Sequence, residues 1–385
     1  MALPPPSSDA QAASDALVAQ IRQQIQDQGG WISFARFMET ALYAPRLGYY
    51  AGGAHKFGAA GDFVTAPELT PLFAYALANQ VAQGMALSAP QVLEAGGGSG
   101  RLAADLLLAL EARGAVPETY AILEVSGELA ARQHATIAAA APHLLPRVQW
   151  LDRLPETWRG VVLGNEVLDA MPVQLAHWTA HGVEERGVAL AADGRFVFAD
   201  RPASPSLASA AARVGSDYRI APGHLSEINL AAEAWMGEWG RRLEAGLVLL
   251  LDYGFPGREY YHPDRTGGTL MCHYRHHAHP DPFYLPGLQD ITAHVDFTAM
   301  AEAAYNGGLD VLGYTSQAGF LYDCGLLDGL NALPADSTAR IKATSAVHKL
   351  TSPAEMGELF KVLACGRGLA APLLGFAHHD RLAAL

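Results

Sequence analysis

The sequence predicts an α/β fold wound around a mostly parallel sheet, and two observations carry the prediction. Gln91-Val-Leu-Glu-Ala-Gly-Gly-Gly-Ser-Gly100 runs from a short apolar stretch through an acid into a glycine turn. An apolar helix pattern follows, with Leu102, Leu106 and Leu110 four apart. Strand, glycine turn and helix make the βα unit that receives the adenosyl end of a cofactor. Beyond it, short apolar runs alternate with helical stretches, a pattern that needs parallel strands joined by right-handed crossovers.

Taken in order, residues 1–13 are Pro, Ser and Ala and read as a disordered tail. Residues 14–84 read as an N-terminal helical segment. Ser14 is the expected cap of a helix bearing Leu17, Ile21 and Ile25, and Ser33 caps a second helix running to Tyr43. A glycine-rich loop from Gly48 to Gly61 leads through Thr65-Ala-Pro-Glu68 into a helix ending near Gly84. The main domain spans 85–385. Its strand candidates are Val92–Ala95, Tyr120–Glu124, Val148–Leu151, Val161–Leu163 and Leu247–Asp252, with helices near 101–113, 126–141 and 227–245. Between the last two strands, residues 174–225 alternate apolar and polar, and Asp193-Gly194 marks a hairpin turn, so this stretch reads as a β-rich insertion. A Gly/Pro/His-rich loop then reaches about 290. After it come a helix near 296–306, a strand near 310–314 and a helical tail.

Half of the 385 residues are hydrophobic, which supplies a large core, and only 17% are charged. The net charge of −13 argues against a nucleic-acid surface but suits a basic peptide partner. Three isolated cysteines, Cys272, Cys324 and Cys365, fit a reducing compartment. The N-terminus has neither a signal-peptide nor a transit-peptide pattern, and no stretch is apolar enough for a membrane span, so a cytoplasmic location is expected. Oligomerisation is left open.

The glycine turn admits two cofactors. Gly98-Ser-Gly100-Arg-Leu-Ala103 fits the dinucleotide pattern of an NAD-dependent oxidoreductase. Glu94-x-Gly96-x-Gly98-x-Gly100 fits S-adenosyl-L-methionine (SAM), whose ammonium and sulfonium a carboxylate such as Glu94 balances. In Tyr120–Ser126, Glu124 at the end of the second strand is the expected partner of the ribose hydroxyls, with Val125 beside it; this acid serves either cofactor. Val161-Val-Leu-Gly-Asn-Glu-Val-Leu-Asp-Ala-Met-Pro172 places Asn165, Glu166 and Asp169 just past the fourth strand, where ligands of open α/β sheets bind. That polar string favours SAM, because hydride transfer more often wants a Lys, His or Tyr there. Asp62 and Glu68, in Gly61–Glu68, read by composition only as a turn and a helix start. His273, His276, His277 and His279 are irregularly spaced and lack a Cys or Glu to close a metal site. Asp290 and His294 are placed to border a site.

With these strings in view, the chain resembles the MidA-like family of class I methyltransferases from about Trp31 to Leu363. The resemblance rests on Gly48-Tyr-Tyr50, Gly61-Asp-Phe-Val-Thr-Ala-Pro-Glu68, Leu93–Gly100, Leu123-Glu-Val-Ser126 and Asn165-Glu-Val-Leu-Asp-Ala-Met-Pro-Val173. Asp252-Tyr-Gly254, Asp290-Ile-Thr292 and Val295-Asp-Phe297 complete it. Relatives often carry Pro and Arg where Gly97 and Ser99 stand, Leu at Met171 and Ser at Thr70; these departures leave the acceptor open. That family includes a mitochondrial complex I assembly factor that methylates an arginine. The resemblance implies a seven-stranded, Rossmann-like methyltransferase sheet, SAM at Gly96–Gly100 and Glu124, and a protein arginine as acceptor, for instance on a respiratory complex I subunit. It raises Asp62–Glu68 to an active-site loop. Glu166 and Asp169 become the expected guanidinium clamp, with Glu68 and Asp62 closing on it and Asn165 positioning the acceptor or the SAM amine. A non-catalytic complex I assembly factor that keeps the fold and an NAD-dependent oxidoreductase are the alternatives.

Overall fold

The computed structural model describes residues 3–51, 65–335 and 337–385; Asp62 lies outside them. Its strands are β1 (Trp31–Ser33), β2 (Gln91–Ala95), β3 (Thr119–Leu123), β4 (Val148–Leu151), β5 (Trp158–Asn165) and β6 (Gln174–Thr179). They continue as β7 (Gly182–Leu190), β8 (Phe196–Pro202), β9 (Leu225–Ile228), β10 (Leu243–Phe255) and β11 (Met271–Tyr274). The last are β12 (His277–His279), β13 (Asp290–Thr292), β14 (Val295–Asp296), β15 (Asp310–Ser316) and β16 (Phe360–Arg367).

The main sheet has the order β15-β16-β10-β5-β2-β3-β4, with the short β14 added beside β10. β4, β3, β2, β5 and β10 are parallel, and β16 runs antiparallel between β10 and β15. Alternation along the central strands divides the core. Val161, Leu163, Leu247, Leu249 and Leu251 join the cluster beneath the helices Pro71–Leu87 and Arg101–Glu111. Val162, Val248 and Leu250 join the opposite cluster, beneath Leu230–Arg242 and Phe297–Asn306. Each of these side chains is at most 1% exposed, and burying one stabilises by about 1.5–3 kcal/mol before entropy is counted. The chain leaves β2 toward β3 and β4 on one side and later toward β5 and β10 on the other. The order therefore reverses between β2 and β5, and a crevice opens at their carboxyl ends.

Four expectations need correction. Helix starts at Ser8, not after Ser14, because the Ser7 hydroxyl accepts the Ala10 N–H at 3.3 Å and Ala- and Gln-rich sequence continues the helix. The proposed tail of 1–13 is thus helical from residue 8, and Ser14 is buried, its hydroxyl donating to the Pro286 carbonyl at 2.9 Å. The helical tail contains β16; Phe360–Arg367 is buried on both faces, so it reads as an apolar run with no alternation. The insertion is a sheet of β6, β7, β8 and β9, but it also carries the helix Pro205–Tyr218 and takes β1 as a further strand through Trp31–Ser33. The expected cap at Ser33 and the Asp193-Gly194 turn are both present. The His-rich stretch forms a small sheet of β12, β11 and β13 instead of a loop.

One carboxylate ties the crevice together. Asp252, 1% exposed near the end of β10, accepts the backbone N–H groups of Val167 at 3.1 Å and Leu168 at 2.9 Å, with Asp169 N–H at 3.4 Å. The chain turns into this grip through Glu166, which takes a φ of +53° and donates its N–H to the Leu251 carbonyl at 2.9 Å. Replacing Asp252 with Ala strands those buried donors. D252A is expected to lose about 2–4 kcal/mol of stability in urea unfolding and to weaken ligand binding in the crevice. A loss below about 0.5 kcal/mol, the range of an ordinary surface change, would show that the loop holds itself.

Candidate active site

A cavity of about 1000 Å³ occupies the crevice, lined from the ends of β2, β3, β5 and β10 and from the N-terminal and β11–β13 segments. Its first half is the glycine turn. Gly96, Gly98 and Gly100 have φ of +67°, +50° and +82°, a region that penalises other residues. A Cβ on Gly98 would meet no protein atom within 4 Å, so the backbone there faces the cavity. A Cβ on Gly100 would lie 2.7 Å from Gln133 Cα. Gly100 does not line the cavity: it is the cap residue of Arg101–Glu111 and lets that helix close on its neighbour.

Gln133 is the residue that sequence reading missed in this half. It is fully buried on the helix Gly127–Ala140. Its amide nitrogen donates to Glu124 Oε2 at 2.9 Å and to the Gly98 carbonyl at 3.2 Å, and its oxygen accepts from Trp150 Nε1 at 3.0 Å. One side chain thus fixes the turn against the strand-end acid. A polar residue on an inward helix position was the available signal. Glu124 Oε1 accepts the Ser126 N–H at 2.9 Å, and burial raises its carboxyl. Val125, 74% exposed, presents an apolar side chain to the cavity beside it. Glu94, 2% exposed, accepts the Tyr120 hydroxyl at 2.6 Å and is pushed up to about 7 by burial. Glu68 borders this half, accepting the Ser99 hydroxyl, while the backbone of Ala66, two residues earlier, hydrogen-bonds Glu166.

The second half is acidic. Glu166 is raised to about 8, chiefly by burial and then by Asp169, against a hydrogen bond at 3.2 Å from the Asn165 amide. Asp169, 6% exposed, is raised to about 6 by burial while the Tyr253 hydroxyl donates to its Oδ2 at 2.7 Å. Asp169 Oδ1 and Asn165 Oδ1 are buried with no hydrogen-bond partner among the described residues. Asp290, 3% exposed on β13, accepts the Tyr50 hydroxyl at 3.0 Å. Tyr43 stacks on Tyr50 with centroids 5.5 Å apart and donates to the Ala170 carbonyl at 3.0 Å. Of the expected residues, Glu68, Glu94, Gly96, Gly98, Glu124, Val125, Asn165, Glu166 and Asp169 all line this one cavity. Asp252, Tyr253, Tyr43 and Tyr50 were not singled out as site residues, because only the folded chain brings them to Asp169.

Among the described residues, the one His/Cys/Asp/Glu group at metal-ligand spacing is His177, Glu184 and Asp200, and none of these lines the cavity. Asp200 is held there by Arg186 at 2.8 Å, a pairing that competes with any cation. No helix of the described residues is long and apolar enough to cross a membrane.

Comparison with known proteins agrees with this geometry. Residues 76–315 match the model of a family of S-adenosyl-L-methionine-dependent methyltransferases. A crystal structure from Burkholderia thailandensis with S-adenosyl-homocysteine bound shares 52% identity and superposes with a TM-score of 0.96 over 100% of both chains. The protein arginine methyltransferase NDUFAF7 homolog of Drosophila melanogaster mitochondria is 30% identical over 97% of this chain and 91% of its own. The mouse mitochondrial protein arginine methyltransferase NDUFAF7 is also 30% identical, over 87% of this chain and 81% of its own. These matches decide between the two cofactors that the glycine turn admitted, in favour of SAM and against the dinucleotide. The chain belongs to the family of S-adenosyl-L-methionine-dependent methyltransferases.

Proposed function

We propose that this methyltransferase transfers its methyl group to an arginine guanidinium of a partner protein, a respiratory complex I subunit being the partner class that its MidA-like sequence implies. The observation that carries the reading is the pair Glu166 and Asp169: two carboxyls in the cavity wall, raised by burial, with no described Lys or Arg paired to either. A guanidinium is the planar cation such a pair fits. Relatives of about 30% identity named as protein arginine methyltransferases support it.

The residues present fit SAM. Gly98 leaves its backbone open to the cavity, Glu94 and Glu124 stand at the ends of two adjacent strands, and Asn165 has a buried oxygen lacking a partner. When bound, SAM supplies an electrophilic methyl on a sulfonium; the acceptor nitrogen takes the methyl, and the electrons of the broken bond stay on sulfur as a thioether. The protein's own part is charge and alignment. A guanidinium stays protonated at all working pH values, so its lone pairs are delocalised. Carboxylates on its outer N–H groups localise charge away from the nitrogen that reacts and aim that nitrogen at the methyl. The proton that nitrogen sheds passes to Glu166 or Asp169, whose raised affinity suits them to receive it. Tyr253 keeps Asp169 oriented throughout.

Three measurements test this. S-adenosyl-homocysteine at 100 times its Kd should stabilise the protein by about 2.7 kcal/mol, and Gly98→Val should abolish that shift; no shift in the wild-type protein would remove the cofactor assignment. With methyl-labelled SAM and arginine-containing subunit peptides, E166Q and D169N should each lower kcat about 100-fold or more. Undiminished label in both would remove the clamp. Acceptor binding should tighten as pH rises from 6 to 8.5. Glu166 must ionise to pair with the cation, and its carboxyl titrates near 8, while the guanidinium does not change. Calorimetry in two buffers should show proton release on binding, lost in E166Q.

A further inference from the structure

His294 has no part in the clamp, yet its ring stands between two cavities. It lines the large one beside Tyr253 and Asp290, and it also lines a small inner cavity of about 20 Å³ walled by Glu227, Asn229, Glu233 and Asp296. The ring lies flat on Phe255, with centroids 5.2 Å apart and planes 5° from parallel, and edge-on to Tyr253 at 5.1 Å. Its backbone N–H is tied to the Thr269 hydroxyl at 3.0 Å. The ring therefore has little freedom to turn. Nδ1 is buried with no hydrogen-bond partner among the described residues.

The surroundings favour a neutral ring. Burial lowers its pKa to about 4, Arg265 and Lys361, both set over the Phe255 ring, add to that, and a hydrogen bond with the Thr269 backbone works against it. A neutral imidazole has one N–H and one lone pair. The inner cavity is large enough for about one water and is bordered by carboxyls, which accept hydrogen bonds. That side favours the N–H, leaving the lone pair on the other nitrogen, as a second-sphere acid sets the tautomer of a metal-bound histidine.

We infer that His294 is an acceptor-binding residue: its Nε2 lone pair takes one N–H of the substrate guanidinium, while Nδ1–H points back toward the acidic inner cavity. This rests on the arginine reading above and adds to it. Glu166 and Asp169 supply charge, whereas a neutral acceptor on a rigid ring supplies direction. It separates a guanidinium, with five N–H donors, from a lysine ammonium, whose three donors diverge from one point.

The assignment is tested in two arms with the full-length protein. Nitrogen-15 NMR of histidine-labelled protein saturated with S-adenosyl-homocysteine should show a neutral His294 with the proton on Nδ1; a proton on Nε2 would overturn the assignment. In the kinetic arm, His294→Phe keeps the ring on Phe255 but removes both nitrogens. It should reduce kcat/KM for an arginine peptide by about 10- to 100-fold and leave the S-adenosyl-homocysteine Kd within twofold. His294→Gln, whose amide oxygen reaches the Nε2 position, should recover part of the loss, and His294→Asn should not. Unchanged peptide kinetics in H294F, or an equal loss of S-adenosyl-homocysteine affinity, would overturn the inference. Wild-type protein that binds S-adenosyl-homocysteine yet methylates no arginine peptide would instead overturn the arginine reading, on which this contact depends; the NMR arm needs no acceptor and reports on the ring independently.

Discussion

The site depends on the grip of the Asp252 carboxylate on the loop after β5. Three consecutive backbone N–H groups converge on one buried oxygen, an arrangement that satisfies donors which would otherwise be orphaned in the interior. Other segments hold the same loop from outside. Asn229 donates to the Leu168 carbonyl at 3.1 Å, Tyr43 to the Ala170 carbonyl at 3.0 Å, and the Ala293 N–H to the Asp169 carbonyl at 3.1 Å. The main sheet, the N-terminal helices, the cap of the helix Leu230–Arg242 and the residue after β13 thus all bear on Val167–Ala170. Asp252 makes no direct contribution to the cavity wall, yet it holds the backbone from which Asp169 projects.

The cost of this arrangement is electrostatic. Burial raises the proton affinity of Glu166, Asp169 and Asp252; Asp169 raises the other two further, and Glu166 adds to Asp252. Acids whose folded pKa exceeds the unfolded value make the fold less stable as pH rises from the unfolded toward the folded pKa, because the folded state holds the extra protons. With Glu94 at about 7 and Glu166 at about 8, that window reaches neutrality. A cation in the cavity relieves the repulsion. Ligand binding and stability are therefore linked through the same carboxyls, and part of the attraction for a cationic substrate is repulsion already present in the free protein.

Legibility in the sequence followed the range of the interactions. The glycine turn, Glu94 and Glu124 sit at the ends of short strands whose pattern is local, and they were found where expected. Asn165, Glu166 and Asp169 were also legible, since a polar string after an apolar run at a strand end has few structural uses. Gly100 stands outside the cavity lining, and its close neighbour is Gln133, which no local signal brings near. β16 was missed because a strand buried on both faces loses its alternation. Helix begins at Ser8 because a three-residue cap outweighed composition that looked disordered. Tyr50 and Asp290 are 240 positions apart, and such a pairing has no signature in either segment.

That separation bears on the order in which the site is built. Apart from Glu68, the glycine-turn half runs from Glu94 through Gln133, some forty residues of contiguous chain in two adjacent βα units whose contacts are short-range. The acidic half joins Tyr43, Asp169, Tyr253 and Asp290, so several long loops must close before any of its contacts form. Closure entropy grows with loop length, and non-local contacts are rewarded late. Chain connectivity therefore favours a glycine-turn pocket that matures before the acidic one; on the proposed reading, the ability to select an acceptor becomes the last property the folding chain acquires.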